Sequence, residues 1–119
     1  MRLTSDFFAG ALVRRAFGEG CFAAVMRKGA KEAGAIFVVI DRLDGTKDLY
    51  GPAPQAMFME ETEGADAKDG RLFECRIAQG DIFAVQEVLD REARMDPDFW
   101  VIEIEDREGR CFLSLASED

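Results

Sequence analysis

The acids with the most suggestive spacing lie in Val39-Ile-Asp-Arg-Leu-Asp-Gly-Thr46. Asp41 and Asp44 could offer magnesium hard carboxylate oxygens, the ligand type that ion prefers, at the end of a strand. Asp96, Asp98, Glu103 and Glu105 are the other acids available for such chemistry. With arginines, and with or without a divalent metal, they could equip a small enzyme acting on a phosphate-containing small molecule. Binding without catalysis needs less. Arg14 and Arg15 could present forked donors to a carboxylate, a phosphate or the acidic face of another copy. Tyr50 and Trp100, the only residues of their types, have apolar bodies with polar tips, and Gln55 closes the loop that Tyr50 opens. Arg14, Arg15, Tyr50, Gln55 and Trp100 are the candidate binding residues, and no residue is assigned to catalysis or to a metal.

Other classes are excluded by what the chain lacks. It has no His, which removes the commonest general base and rules out Ser-His and Cys-His triads. Cys21, Cys75 and Cys111 are too far apart for a CxxC pair or zinc knuckle, and an odd count argues against a disulfide framework. Reduced cysteines acting as small hydrophobes imply a reducing cytoplasm. No cofactor is expected. With 24 acidic against 15 basic residues the net charge is −9, which is unlike the concentrated positive footprint that nucleic acid demands. The charge is polarised, because residues 1–35 carry six basic and three acidic groups and the rest of the chain carries −12. That basic segment suits self-association or an acidic protein partner, with a small-molecule ligand as a further option. The longest apolar run, Ala35 to Ile40, is far short of the roughly 20 residues that span a bilayer, so no membrane partner is expected.

The elements that would position these groups fit one domain over residues 1–119. Thr4 or Ser5 caps a first helix, with Asp6 in its first turn and Phe8, Leu12 and Ala16 on one face, ended by Gly18 and Gly20. Cys21 to Arg27 could continue as helix or turn into a strand, which periodicity does not separate in so short a piece, and it is read as a strand. Ala35 to Ile40 is β-branched without alternation, which marks a strand covered on both faces at the sheet centre. Asp44-Gly45 signals a hairpin into Lys47–Tyr50, which Gly51-Pro52-Ala53-Pro54 ends. Residues 59–70 hold five acids and one Lys and read as a flexible loop. Leu72 to Ile77 alternates, with Phe73, Cys75 and Ile77 expected on one side. Asp81 caps a second helix carrying Ile82, Val85, Val88 and Leu89. After Asp96-Pro97-Asp98, Trp100 to Glu105 alternates as a strand, Glu108-Gly109 turns, and Cys111 to Leu115 is expected to pair as a last strand. The expected fold is α+β, a two-layer domain with a mainly antiparallel sheet of about five strands packed against two helices.

Two resemblances follow from these strings. Asp41 through Thr46 resembles the metal-binding signature of the inositol monophosphatase family, but Arg42 stands where that family has proline and its other motifs are absent. A hairpin turn accounts for the string by itself. The second covers nearly the whole chain: Ser5-Asp-Phe, Ala11-Leu-Val-Arg-Arg-Ala16, Gly34-Ala-Ile-Phe37, Leu49-Tyr-Gly-Pro-Ala-Pro-Gln55 and Asp96-Pro-Asp-Phe-Trp-Val-Ile-Glu103. These resemble small uncharacterised bacterial proteins grouped as domain of unknown function 1491. The resemblance implies a stand-alone bacterial cytosolic domain and brings no catalytic residue, cofactor or substrate. The preferred functional expectation is a non-catalytic cytosolic binding or protein-interaction module, self-associating through a sheet edge or helix face. The turn reading makes a direct prediction: millimolar magnesium leaves the NMR amide signals of residues 41–46 and the melting temperature unchanged, whereas a metal site would shift both.

Overall fold

The computed structural model describes residues 3–54 and 71–116. Gln55 and the acidic segment 59–70 lie outside the described residues. The elements are α1 (Ser5–Gly18), β1 (Ala23–Arg27), β2 (Ile36–Asp41), β3 (Thr46–Pro52), β4 (Phe73–Asp81), α2 (Ile82–Met95) and β5 (Trp100–Glu105). They build one five-stranded sheet in the order β1-β5-β2-β3-β4. Every neighbouring pair is antiparallel except β2 with β5. That parallel pairing requires a long crossover, which α2 supplies between β4 and β5. The α+β class and the composition of five strands and two helices are as expected.

The helices take opposite faces of the sheet, so the helical layer is divided. On one face, Ala9, Leu12 and Ala16 of α1 pack with Ile36, Val38, Ile40, Trp100, Ile102 and Ile104. On the other, Val85 of α2, with Val88 and Leu89 beside it, packs on Phe37, Val39, Leu49 and Val101. Residues 36–40 therefore bury both of their sides, as the unalternating run predicts for the central strand. Asp81 caps α2 by accepting from Ala84 N at 2.7 Å. α1 starts differently: the Thr4 hydroxyl donates to Asp6 rather than capping, while Ser5 N and Asp6 N donate to the carbonyls of Glu32 and Lys31.

Two expectations change. Register shifts in the β3–β4 pairing carry Ile77 into the α2-side core, while Phe73 stays on the α1 side, so the alternation expected from Phe73 to Ile77 breaks within the strand. Cys111 to Leu115 is not a strand alongside β5. After the turn at Gly109, Cys111, Phe112 and Leu113 pack against the α1-side core, and Leu115 forms a single parallel bridge to Phe73.

Residues 28–35 run tightly against the approach to β5. A Cβ on Gly29 or Gly34 would lie closer to the Asp98 carbonyl than real Cβ atoms lie, whereas one on Gly18, at the end of α1, meets nothing within 4 Å. Gly29→Ala is expected to cost on the order of 2 kcal/mol, because backbone must move. Gly18→Ala is expected to be neutral or stabilising by up to about 1 kcal/mol. Urea denaturation of both variants checks the contrast.

Candidate functional site

The sheet leaves β1 open on its outer side. Among the described residues no strand lies beyond it, and α2 packs on β3 and β4 rather than over β1. Four large apolar side chains stay exposed here: Phe17 at 53%, Phe22 at 56%, Val25 at 41% and Met26 at 62%. Phe17 and Phe22 meet edge to face at 5.8 Å. Phe22, Ala24 and Met26 line one shallow depression of about 120 Å³ with Glu103 and Glu105. Met26 also borders a second, of about 230 Å³, between β1 and α2. An open strand edge with clustered aromatic and aliphatic side chains has the chemistry of a protein docking surface.

The edge is held in place from its C-terminal end. The Arg27 guanidinium donates to Pro97 O at 2.8 Å and Phe99 O at 3.2 Å, and lies over the Phe99 ring at 4.3 Å. Beside it, a bulge falls between Val25 and Arg27 in the pairing with β5, leaving Met26 without a partner residue.

The candidate residues named from sequence do not converge here. Trp100 is 3% exposed and donates its indole N–H to Ala30 O at 2.8 Å, which makes it part of the core. Arg14 is exposed on α1, whereas Arg15 lies over the Phe112 ring at 5.5 Å, with Arg110 also over that ring at 5.4 Å. Tyr50 is half-buried on the α1 side near Cys75, its β4 partner, and Cys111. Next along β3, Asp48 is 1% exposed, paired with Arg42 at 2.9 Å and accepting from Gln79 N at 2.7 Å. That buried ion pair had no signal in residue spacing. Phe22 and Met26 left no distinguishing signal either: Cys21 to Met26 is an apolar run on both strand sides, like residues 35–40, and composition does not say which strand lies at an edge.

The acids are occupied locally. Asp41 accepts from Leu43 N at 2.9 Å, and Asp44 accepts from Thr46 N at 2.9 Å and the Thr46 hydroxyl at 2.6 Å. These bonds close the hairpin, and the Thr46 hydroxyl foremost holds the Asp44 carboxyl below its ordinary range. Glu103 and Glu105 share the α2 side with Asp41, Glu105 being its β5 partner, and Glu103 pairs with Lys47 at 3.3 Å. Among the described residues, no three Cys, Asp or Glu side chains are grouped to hold a metal ion. None of the described helices is long and apolar enough to cross a membrane.

Burial pushes the Tyr50 phenol up to about 12 and also raises the Cys111 thiol, while partial desolvation, with the Asp48 charge, raises the more exposed Cys75 thiol. An unfolded tyrosine ionises at about 10. Folding therefore keeps the proton on Tyr50, a contribution fully present below pH 10 that is lost as pH rises toward about 12. Because the chain has one tyrosine, the absorbance change near 295 nm on titration should have its midpoint near 12 in the folded protein and near 10 in urea. A folded midpoint at 10 would mean that the phenol is solvated.

Comparison with known proteins adds family relationships. The model of a family described as "Protein of unknown function (DUF1491)" matches residues 3–114. The chain is similar to an A. tumefaciens protein of known solution structure, at 44% identity and a TM-score of 0.82 over 100% of this chain and 98% of that one. It is also similar to a DUF1491 family protein from Caulobacter crescentus CB15, at 37% identity and a TM-score of 0.76. The crystal structure covers 98% of this chain and 100% of that one, and the NMR structure covers 98% and 99%. No curated protein matches. The match over nearly the whole chain, together with these full-length structural relatives, means that this protein belongs to the DUF1491 family.

Proposed function

We propose that the protein is a non-catalytic cytoplasmic interaction module whose working surface is the β1 edge. The observation that carries this reading is the concentration of exposed Phe17 at the end of α1, Phe22 just before β1, and Val25 and Met26 on β1, a strand with an unpaired side. A contiguous apolar patch beside free main-chain donors and acceptors suits strand addition, in which backbone bonds give affinity and side-chain contacts give selectivity. The enzymatic alternative has less support. Asp41 and Asp44 serve the hairpin, and Glu103 is paired with Lys47 beside an open depression rather than in a dry pocket.

The reading is tested by placing a photoreactive benzoylphenylalanine at position 22 of the full chain in living cells, with position 83 as control. Phe83 is the more exposed, at 81%, but lies on α2 away from the edge. The expected result is a discrete cross-linked product from position 22 that disappears with Met26→Lys, and none from position 83. Equal labelling from both positions, or none from position 22, would overturn the assignment of the surface.

A further inference from the structure

We propose that the occupant of the β1 edge is a second copy of this chain, paired antiparallel about a two-fold axis at Ala24; the inference rests on the interaction reading above. The geometry of the existing ladder sets the register. Glu105 N donates to Phe22 O at 2.9 Å, and Ala24 is the partner of Glu103. In an antiparallel pair, hydrogen-bonded residues alternate, so Phe22 and Ala24 turn their backbone groups toward β5 while Ala23 and Val25 turn theirs outward. Two outward residues spaced by two are the minimum for a symmetric pairing. Ala23 of one copy then exchanges bonds with Val25 of the second copy, and Val25 with its Ala23.

Side chains agree with this register. Ala24 faces Ala24 across the axis at a position where side chains come closest and small residues fit. Phe22 falls opposite Met26 of the second copy, and the reverse, which makes two thioether–aromatic contacts from groups that are each more than half exposed in one chain. Charge is complementary as well. Lys28 is exposed just past the C-terminal end of β1 and makes no ion pair among the described residues. Glu105, whose N–H bonds Phe22 O, and Glu19, which Arg110 approaches at 3.7 Å, flank the N-terminal approach to β1, the end that an antiparallel second copy sets beside Lys28. The bulge at Met26 ends the pairable stretch, so few residues of each copy take part and the interface lies at the small end of specific contacts. The expected dimer is weak and concentration-dependent.

The test uses the full chain with its exposed native thiol removed by Cys75→Ser. Ala24→Cys should form a covalent dimer under mild oxidation, because two residues on the axis approach within disulfide range. Met26→Cys is the control: its thiol would be more accessible, yet the register keeps the two copies of position 26 too far apart to bridge. Light scattering of the unmodified chain should show mass rising toward twice the monomer with concentration, and Met26→Lys should abolish the rise. Equal cross-linking of both variants would overturn the register. A monomer at every concentration with no Ala24→Cys dimer would overturn self-pairing, and a position-22 adduct to a different protein would then leave the interaction reading standing.

Discussion

Residues 28–35 hold two distant parts of the chain together almost entirely through their own main-chain atoms. Ala30 N donates to Asp98 O at 2.9 Å, Ala30 O accepts the Trp100 indole N–H, and Ala35 O accepts Trp100 N at 2.8 Å. From the other side, Ser5 N and Asp6 N reach Glu32 O and Lys31 O, and the buried Ser5 hydroxyl donates to Gly34 O at 2.6 Å. The start of α1 and the start of β5 are thus fastened to one short connection. The connection can come this close only because Gly29 and Gly34 have no Cβ to collide with the Asp98 carbonyl. The helix N–H groups that a capping side chain would otherwise satisfy are satisfied here by tertiary contacts.

This clamp also decides what the sheet leaves bare. β5 enters between β2 and β1, and Arg27, bonded to the Pro97 and Phe99 carbonyls, draws the end of β1 onto the same approach. α2 must span from β4 at one edge to β5 and packs on β3 and β4, while α1 packs on β1 and β5 from the opposite face. β2 and β5 are covered from both faces, whereas β1 is covered by α1 alone. The α2 side of β1 is the remainder, and it carries Met26 and Ala24 beside Glu103 and Glu105.

Elements with strong local signals were legible. The 3.6-residue stripe of α2, the Asp81 cap, the Asp44-Gly45 turn and the doubly buried run 36–40 follow from residue types alone. The strand order and the placing of the helices on opposite faces were not legible, because alternation within a strand names a side without naming what covers it. Ile77 shows the limit at single-residue scale: a register shift moved it to the other core. Trp100 and Tyr50 drew attention as rare amphipathic residues, but rarity says nothing about burial, and the clamp took the indole. The exposed edge was concealed by its own composition, since the apolar run 21–26 reads as core unless its place in the sheet is known.

The C-terminal segment acquires a meaning in this light. By bonding Ser114 O to Phe73 N and Phe73 O to Ala116 N, it occupies the start of β4, the strand at the opposite margin of the sheet. Farther along β4, the register shifts and the left-handed Gln79 interrupt the regular ladder. A molecule with two equally adhesive margins would add copies without end and grow into a fibre, whereas one blunted margin and one self-complementary margin close on themselves after a single addition. Under the proposed pairing, the asymmetry between the two margins acts as a stop against polymerisation.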